Sequence, residues 1–281
     1  MIPNQSRSSA PDKEGVTGSN DKLGIVTNKP LTPPPSVSQA FNLFEFFYNL
    51  VGRGGIIEIF GDTGTMKTML SVLTCLDAKK IKKTFVYIDT EGKVGLINKK
   101  NLGEDYKYIP VWNEIGSFCG VAPKKDLLVL DSLGFPIATI AAGMKLDEVG
   151  KRMNEMMYLV GNMLKMWAYE NNAIVIITNQ PKSDFMKSDE EKERLSAYGD
   201  KVHFAPNIIL KTEKHILSGE FDSIKKKVIP PRTHTIFRSF RSPDFQDDAE
   251  IIHLIKSENE IQCYLSSYVE KFNEKLNSVK D

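Results

Sequence analysis

Cysteine is scarce in this sequence. The chain of 281 residues has three cysteines, Cys75, Cys119 and Cys263, which lie far apart. No Cys-x-x-Cys pair occurs, and this argues against a disulfide framework and against a zinc site. Because isolated cysteines are typical of a reducing compartment, we expect a cytoplasmic protein.

Long apolar runs and an excess of one charge are also missing. No run approaches the roughly 20 apolar residues of a membrane span, and the N-terminus lacks the apolar segment of a secretory signal. We therefore expect no membrane association. The formal net charge is +1, so any contact with nucleic acid must come from local basic patches.

The composition divides the chain into three parts. Residues 1–37 are polar, end in KPLTPPPS, and offer too little apolar surface to offset the entropy of ordering. We expect a flexible polar tail there, with a short partner-binding motif as the alternative. Residues 38–265 are predicted to form the core, and residues 266–281 a short C-terminal helix or tail.

The core begins with a predicted short helix in the segment SVSQAFNLFEFFYNL, with Ser38 as its N-cap. Phe41, Phe44, Phe47 and Leu50 follow at helical spacing. This stripe favours a core helix, and a docking face for a neighbouring subunit is the alternative.

Short apolar runs then alternate with helical stretches. Four runs are rich in β-branched and aromatic residues and apolar throughout, which predicts strands buried on both faces of a parallel sheet: GIIEIF, TFVYIDT, DLLVLDS and AIVIITNQ. An amphipathic helix precedes the last run, with core-type residues at Val149, Met153, Met156, Val160, Met163 and Trp167. Three further runs after Asn207 predict shorter antiparallel strands that extend the sheet.

The first predicted strand leads into the sequence GDTGTMKT, which is close to the phosphate-binding pattern G-x-x-x-x-G-K-[ST]. In such a loop, backbone N–H groups and a helix N-terminus hold an anion, the lysine reaches the outer phosphates, and the Thr hydroxyl ligates Mg²⁺. The sequence therefore predicts an ATP site at Gly61, Asp62, Thr63, Gly64, Thr65, Met66, Lys67 and Thr68.

Met66 departs from the pattern, because the second glycine of the loop belongs at this position. A Cβ at a position that favours positive φ costs about 1–2 kcal/mol, and we expect it to crowd the phosphates. The loop alone is therefore an imperfect match.

Polar residues follow three further predicted strands: Glu91, Asp131 and Gln180. Because ligands of open parallel sheets bind at the carboxyl ends of strands, these groups are expected to meet the loop. Glu91 suits a base that polarises water, Asp131 a Mg²⁺ ligand together with Thr68, and Gln180 a γ-phosphate contact. Taken singly, each acid is as well explained as a turn or N-cap residue, and the glutamine as a buried amide.

These segments resemble, in order and spacing, the motifs of the RecA/RadA recombinase superfamily, with VYIDTEG as the most discriminating piece. The resemblance covers about residues 40–262. It implies an α/β fold: a RecA-like P-loop ATPase core with a mostly parallel central sheet, flanking helices and antiparallel C-terminal strands. It also implies ATP and Mg²⁺ as ligands, with Glu91 as catalytic base and Gln180 as γ-phosphate sensor.

Strand-exchanging members of this family carry a helix-hairpin-helix domain and a Phe-x-x-Ala motif before the core. Neither the polar segment 1–37 nor AFNLF matches these features. The chain is therefore similar to a shortened paralogue of the archaeal RadB type, and strand exchange by this chain alone is not expected.

Two basic groups are candidate DNA contacts. The stretch after Gln180 contributes Lys182, Lys187, Arg194 and Lys201, interspersed with acidic residues. The C-terminal strands contribute Arg232, Arg238 and Arg241. Weak, non-specific binding of single-stranded DNA is one reading; a solvated helical face and a hairpin with solvated lysines are the alternatives.

The sequence thus predicts a slow, DNA-stimulated, Mg²⁺-dependent ATPase that acts as a recombinase paralogue in homologous recombination and repair. Expected partners are DNA, a main recombinase or another paralogue, and a second copy of the chain; DNA binding would make it nucleoid-associated. Two alternatives remain, a KaiC-like regulatory ATPase without a DNA role and an interaction module with a vestigial nucleotide site.

Overall fold

A computed structural model describes residues 41–121, 124–136, 146–180, 206–217, 220–222, 227–229, 232–257, 261–267 and 269. The described residues belong to one compact unit, Val37–Asp281. Its helices are α1 (Leu43–Val51), α2 (Lys67–Lys80), α3 (Leu96–Leu102), α4 (Trp112–Val121) and α5 (Leu146–Asn171). None of these helices is long and apolar enough to cross a membrane.

The strands of the first half are β1 (Ile56–Phe60), β2 (Phe85–Asp89), β3 (Tyr106–Tyr108), β4 (Leu127–Asp131) and β5 (Ile174–Asn179). Those of the second half are β6 (Ile208–Leu217), β7 (Glu220–Asp222), β8 (Lys227–Ile229), β9 (Arg232–Arg241), β10 (Glu250–Lys256) and β11 (Ile261–Leu265). Nine strands form one sheet in the order β11-β10-β9-β6-β1-β5-β4-β2-β3, and β7 and β8 form a separate hairpin.

The sheet changes direction at β6. The strands from β6 through β1, β5, β4 and β2 to β3 run parallel, while β9, β10 and β11 pair antiparallel. Every residue of β1, β2, β4 and β5 is buried, as expected for strands with both faces covered. The predicted fold class, a mostly parallel core with antiparallel C-terminal strands, is confirmed.

Alternate residues of the central strands pack into two apolar layers, one on each face of the sheet. On one face, Ile57 and Ile59 of β1 pack in a cluster that also contains buried residues of α1 and α2. On the other face, Ile56 packs with buried residues of α4 and α5. This period of two is the ordinary geometry of a strand, and it fixes the register of β1 between two helical layers.

Helix α1 confirms the core interpretation, but its predicted start is wrong. The N-cap is Asn42, whose side chain accepts a hydrogen bond from the Glu45 N–H, and not Ser38. Asp77 of α2 also accepts the Leu43 N–H at 2.9 Å, so this helix start is fixed by a partner distant in sequence. Phe44 and Phe47 are buried in the core cluster.

Helix α5 is present as its spacing predicts. Val160, Leu164 and Trp167 are buried against the sheet, and Met163 packs at the edge of the same cluster. The side chains of Val149, Met153 and Met156 lie outside the described part, as do the predicted tail 1–37 and most of 266–281.

Candidate functional site

The loop between β1 and α2 is shaped by close packing against β6. Gly61 has φ of 153°, and a Cβ there would lie 1.7 Å from the Thr212 hydroxyl oxygen. That hydroxyl donates to the Thr65 hydroxyl at 2.8 Å. The tight approach of loop to strand therefore requires glycine at this position.

Met66 has the left-handed conformation predicted for it, with φ of 58° and ψ of 21°, and it forms the N-cap of α2 without a side-chain hydrogen bond. Its side chain packs against the buried core cluster. It does not line the cleft beside the loop. The departure from glycine thus has a conformational cost of about 1–2 kcal/mol, but the methionine side chain does not fill the space above the loop.

Lys67 lies folded onto its own loop. Its ammonium donates to the carbonyl oxygens of Gly61 at 2.6 Å and Asp62 at 2.7 Å. Burial lowers the pKa of Lys67 to about 8, although the nearby carboxylates of Asp131, Asp62 and Glu91 oppose the shift. An anion bound beside this ammonium would stabilise its charged form.

Asp131, the last residue of β4, is surrounded by hydroxyl donors. It accepts hydrogen bonds from Tyr87 at 2.5 Å and from the hydroxyl of Thr178, and it also hydrogen bonds the side chain of Thr68. Burial raises the pKa of Asp131, and these three bonds partly offset the rise. Two oxygen ligands of the kind that Mg²⁺ prefers, those of Thr68 and Asp131, therefore lie together.

The carboxylate of Glu91 is engaged on both oxygens. The Ser132 hydroxyl donates to Oε1, and the ammonium of Lys93 forms an ion pair with Oε2. Burial raises the pKa of Glu91, but the bonds from Lys93 and Ser132 outweigh burial, and the net pKa is lowered. Glu91 is therefore ionised at neutral pH, as a proton acceptor must be.

Asp89 organises the loop that carries Glu91, and the sequence analysis did not assign it a role. It accepts the backbone N–H groups of Glu91 at 3.0 Å, Gly92 at 2.7 Å and Val94 at 3.2 Å, and the hydroxyl of Tyr106 at 2.9 Å. A carboxylate at a strand end that caps the following turn has a recognisable signal, an acidic residue just before a polar turn.

Gln180 directly follows β5. It is exposed, and its backbone N–H donates to the Asn179 side chain at 2.9 Å. Asn179 in turn donates to Glu58 of β1 at 2.9 Å, which ties the end of β5 to the middle of β1. The amide of Gln180 is thus held at the mouth of the cleft by a fixed backbone.

The strand ends converge on one cleft of about 100 Å³. Of the predicted site residues, it is lined by Thr63, Gly64, Lys67, Thr68, Glu91, Asp131 and Gln180. Asp89, Lys93, Ser132 and Thr178 also line it, and these were not predicted. Asp62 is exposed on the loop and Thr65 is buried beneath it.

Three of the predicted DNA contacts, Arg232, Arg238 and Arg241, are described, and they are not among the described residues that line this cleft. Arg238 bridges Glu213 at 2.6 Å and Glu250 at 2.8 Å, and Arg241 donates to the Pro206 carbonyl at 2.9 Å. Arg232 begins β9. The four basic residues of the stretch after Gln180, which are Lys182, Lys187, Arg194 and Lys201, lie outside the described residues.

Comparison with known proteins places this geometry among the RecA-like folds. No family model matches the chain. It is 25% identical to the DNA repair and recombination protein RadB of Methanococcus maripaludis over 70% of this chain and 100% of the relative. It is 26% identical to RadB of Methanobrevibacter smithii over 66% of this chain and 81% of the relative.

Protein RecA of Thermotoga maritima is 29% identical over 46% of this chain and 38% of RecA. Among solved structures, the RadB recombinase superposes with a TM-score of 0.50 at 18% identity, covering 76% of this chain and 94% of that chain. The chain is therefore a distant homologue of the archaeal RadB proteins and of RecA, with the fold of the RadB recombinase.

Proposed function

We propose that this protein binds ATP with Mg²⁺ at the strand-end cleft and hydrolyses it slowly, as an accessory ATPase of DNA recombination and repair. One observation carries the proposal. The start of α2 and the ends of three parallel strands, β2, β4 and β5, bring their side chains to a single cleft. These side chains are a lysine, a hydroxyl, two carboxylates and an amide: Lys67, Thr68, Glu91, Asp131 and Gln180.

The residues present fit a magnesium nucleotide. Thr68 and Asp131 already form a hydrogen-bonded pair of hard oxygen ligands, and oxygen ligands are those that Mg²⁺ selects. The loop beside them is open, because Gly64 is exposed and the Met66 side chain packs into the core instead. Bound Mg²⁺ supplies charge neutralisation on the outer phosphates.

Each side chain then has a specific task. Lys67 exchanges the loop carbonyls for phosphate oxygens, and its charged form is stabilised by that exchange. Glu91, oriented by the Ser132 hydroxyl, accepts the proton of the attacking water. Gln180 contacts the terminal phosphate and relays its presence to the chain that follows β5.

The DNA role rests on the relatives, which are named DNA repair and recombination proteins. We propose weak, non-specific binding of single-stranded DNA through the basic residues that follow Gln180, together with Arg232. Arg238 and Arg241 are less suited to this role, because their donors already bond within the protein. A main recombinase, another paralogue and a second copy remain the proposed protein partners, in the cytoplasm or at the nucleoid.

Calorimetry with Mg²⁺-ATP, followed by turnover measured with and without single-stranded DNA at low salt, tests the proposal. We expect ATP binding and a slow turnover that DNA stimulates. Turnover that DNA leaves unchanged, with no DNA binding, would favour a KaiC-like regulatory ATPase. Absent ATP binding that Met66→Gly restores would identify an interaction module with a vestigial site.

A further inference from the structure

Lys93 stands two residues after Glu91, in the loop between β2 and α3, and its ammonium forms an ion pair with Glu91 Oε2. The two side chains differ in environment, because that of Lys93 is 65% exposed whereas that of Glu91 is 12% exposed. The lysine can therefore rotate away from a carboxylate that Ser132 continues to hold on its other oxygen. An ion pair whose lysine is exposed to solvent is readily exchanged for another partner.

Lys93 also lines the cleft, together with Lys67. Two like charges that meet at one cleft repel each other, and an anion bound between them removes this cost. The side chain of Lys67 is half-buried in the loop whereas that of Lys93 is 65% exposed, so Lys93 is the cation with the greater freedom to adjust to a ligand.

The backbone beneath Lys93 does not need to move for this exchange. Asp89 accepts the N–H groups of Glu91, Gly92 and Val94, which fixes the turn on both sides of Lys93. The long side chain of Lys93 can move between acceptors, while the turn holds its Cα in place. A rigid backbone with one rotatable cation suits a side-chain switch between two neighbouring acceptors.

We infer that Lys93 distinguishes a nucleoside triphosphate from a diphosphate, by leaving the Glu91 carboxylate to bind the terminal phosphate when ATP occupies the cleft. This inference rests on the proposed function and adds a specificity-determining residue to it. A terminal phosphate presents more negative charge and more acceptor oxygens than a carboxylate does. A diphosphate lacks that group and leaves Lys93 on Glu91.

The exchange also couples binding to chemistry. The ion pair with Lys93 helps to hold the pKa of Glu91 below its ordinary value. Once Lys93 has moved to the phosphate, this part of the depression is lost and Glu91 becomes a better proton acceptor. The base is therefore strengthened only when the phosphate that water must attack is present.

Calorimetry with Mg²⁺-ADP and with a non-hydrolysable ATP analogue in which nitrogen bridges the outer phosphates tests this inference. For Lys93→Met we expect analogue affinity to fall about tenfold and ADP affinity to change less than about twofold. Glu91→Gln releases Lys93, so it should tighten the analogue several-fold, and this gain should vanish in the double variant. Lys93→Arg, which keeps the charge, should restore most of the analogue affinity.

Lys83→Met is the matched control, because Lys83 forms a comparable ion pair with Asp126 at 3.0 Å at the opposite end of β2 and β4. It should change neither affinity, and near-ultraviolet circular dichroism of each variant checks that the fold is kept. Equal losses for both nucleotides in Lys93→Met, or a Glu91→Gln gain that survives in the double variant, would overturn the inference alone. A wild-type protein that binds neither nucleotide would overturn the proposed function as well.

Discussion

The parallel and antiparallel parts of this sheet use their charged side chains in different ways. In the parallel part, Lys67 at the start of α2 and Glu91 just beyond β2 line an open cleft. In the antiparallel part, Arg238 of β9 is paired with Glu213 of β6 and Glu250 of β10 across the sheet surface. Charges at strand ends remain available to a ligand, whereas charges along paired strands neutralise their neighbours.

Strand β6 joins the two parts, because it is parallel to β1 and antiparallel to β9. Its Thr212 contacts the loop through Thr65 and restricts Gly61. Strand β6 therefore supports the loop, and no described residue of β6, β9, β10 or β11 lines the cleft. Variants that change one part and leave the other intact test whether the two parts have these separate roles.

The largest effect on stability is expected from Gly61→Ala, which breaks the contact between the parts. The new Cβ would lie 1.7 Å from the Thr212 hydroxyl oxygen, so the loop or β6 must shift. We expect a loss of about 2–4 kcal/mol in the free energy of unfolding, measured by urea denaturation. Gly95→Ala, where the Cβ meets nothing within 4 Å, is the control and should be close to neutral.

Acid should destabilise the antiparallel part through His234. Its ring stacks on His253 at 5.2 Å between centroids, and burial, with added repulsion from His253 and His215, lowers its pKa to about 4 despite Glu250 and Glu213. The unfolded chain, with an ordinary pKa of 6.5, binds the proton first. Stability should therefore fall as the pH drops from 6.5 towards 4, by about 2 kcal/mol after allowance for partial solvent screening.

Urea denaturation at intervals of pH measures this loss. His234→Phe removes the titrating ring nitrogens while retaining a ring, so its unfolding free energy should vary less over the same interval. An unchanged pH dependence in that variant would remove His234 from this account.

Thr178→Val tests the contribution of a single hydroxyl in the cleft to nucleotide binding. The variant keeps the shape of the side chain but removes the hydroxyl that donates to Asp131 Oδ1. We expect Mg²⁺-ATP affinity to fall about tenfold, because the buried carboxylate loses a donor and its pKa rises further. Calorimetry at several Mg²⁺ concentrations measures this; an unchanged affinity would mean that Tyr87 and Thr68 suffice to hold Asp131.

Arg238→Met should have the smallest effect. In contrast to Thr178→Val, it should lower stability and leave nucleotide affinity unchanged. It removes both ion pairs of a partly exposed network and should cost about 1 kcal/mol in unfolding free energy. Nucleotide affinity should stay within about twofold of wild type, because Arg238 is absent from the cleft lining among the described residues. A larger fall in affinity would show that the antiparallel part contributes directly to the site.

The central strands and the polar residues that follow them could be predicted from the sequence, for a physical reason. Strands buried on both faces are largely apolar, so the polar residues that follow each run mark the strand end. Asp131 follows its run directly, whereas Glu91 and Gln180 come after other polar residues and were assigned by their place in the motifs. The left-handed backbone of Met66 could also be predicted, since the glycine pattern of the loop requires that conformation.

The missed features depend on contacts between residues far apart in the chain. Tyr87 and Thr178 lie 44 and 47 positions from Asp131, the residue to which they donate. No local pattern marks such donors. The predicted N-cap of α1, Ser38, was wrong for a similar reason, because Asp77 of α2 helps to fix the helix start.

The short elements α3, α4 and β3 were not predicted either. The three residues of β3 are too few for a clear alternation, and Lys107 stands at their centre. Helix α4 has glycine at Gly116 and Gly120, which weakens its local preference for helix, and it is stabilised instead by burial of Trp112 and Ile115.

The most direct test of the strand-end cleft is ATP turnover by wild type and Glu91→Gln, each with and without single-stranded DNA. The glutamine keeps the size of the side chain but cannot accept the proton of water. We expect the variant to bind ATP at least as tightly as wild type, while its turnover falls by about a hundredfold or more under both conditions. Equal turnover in the two proteins would contradict the account.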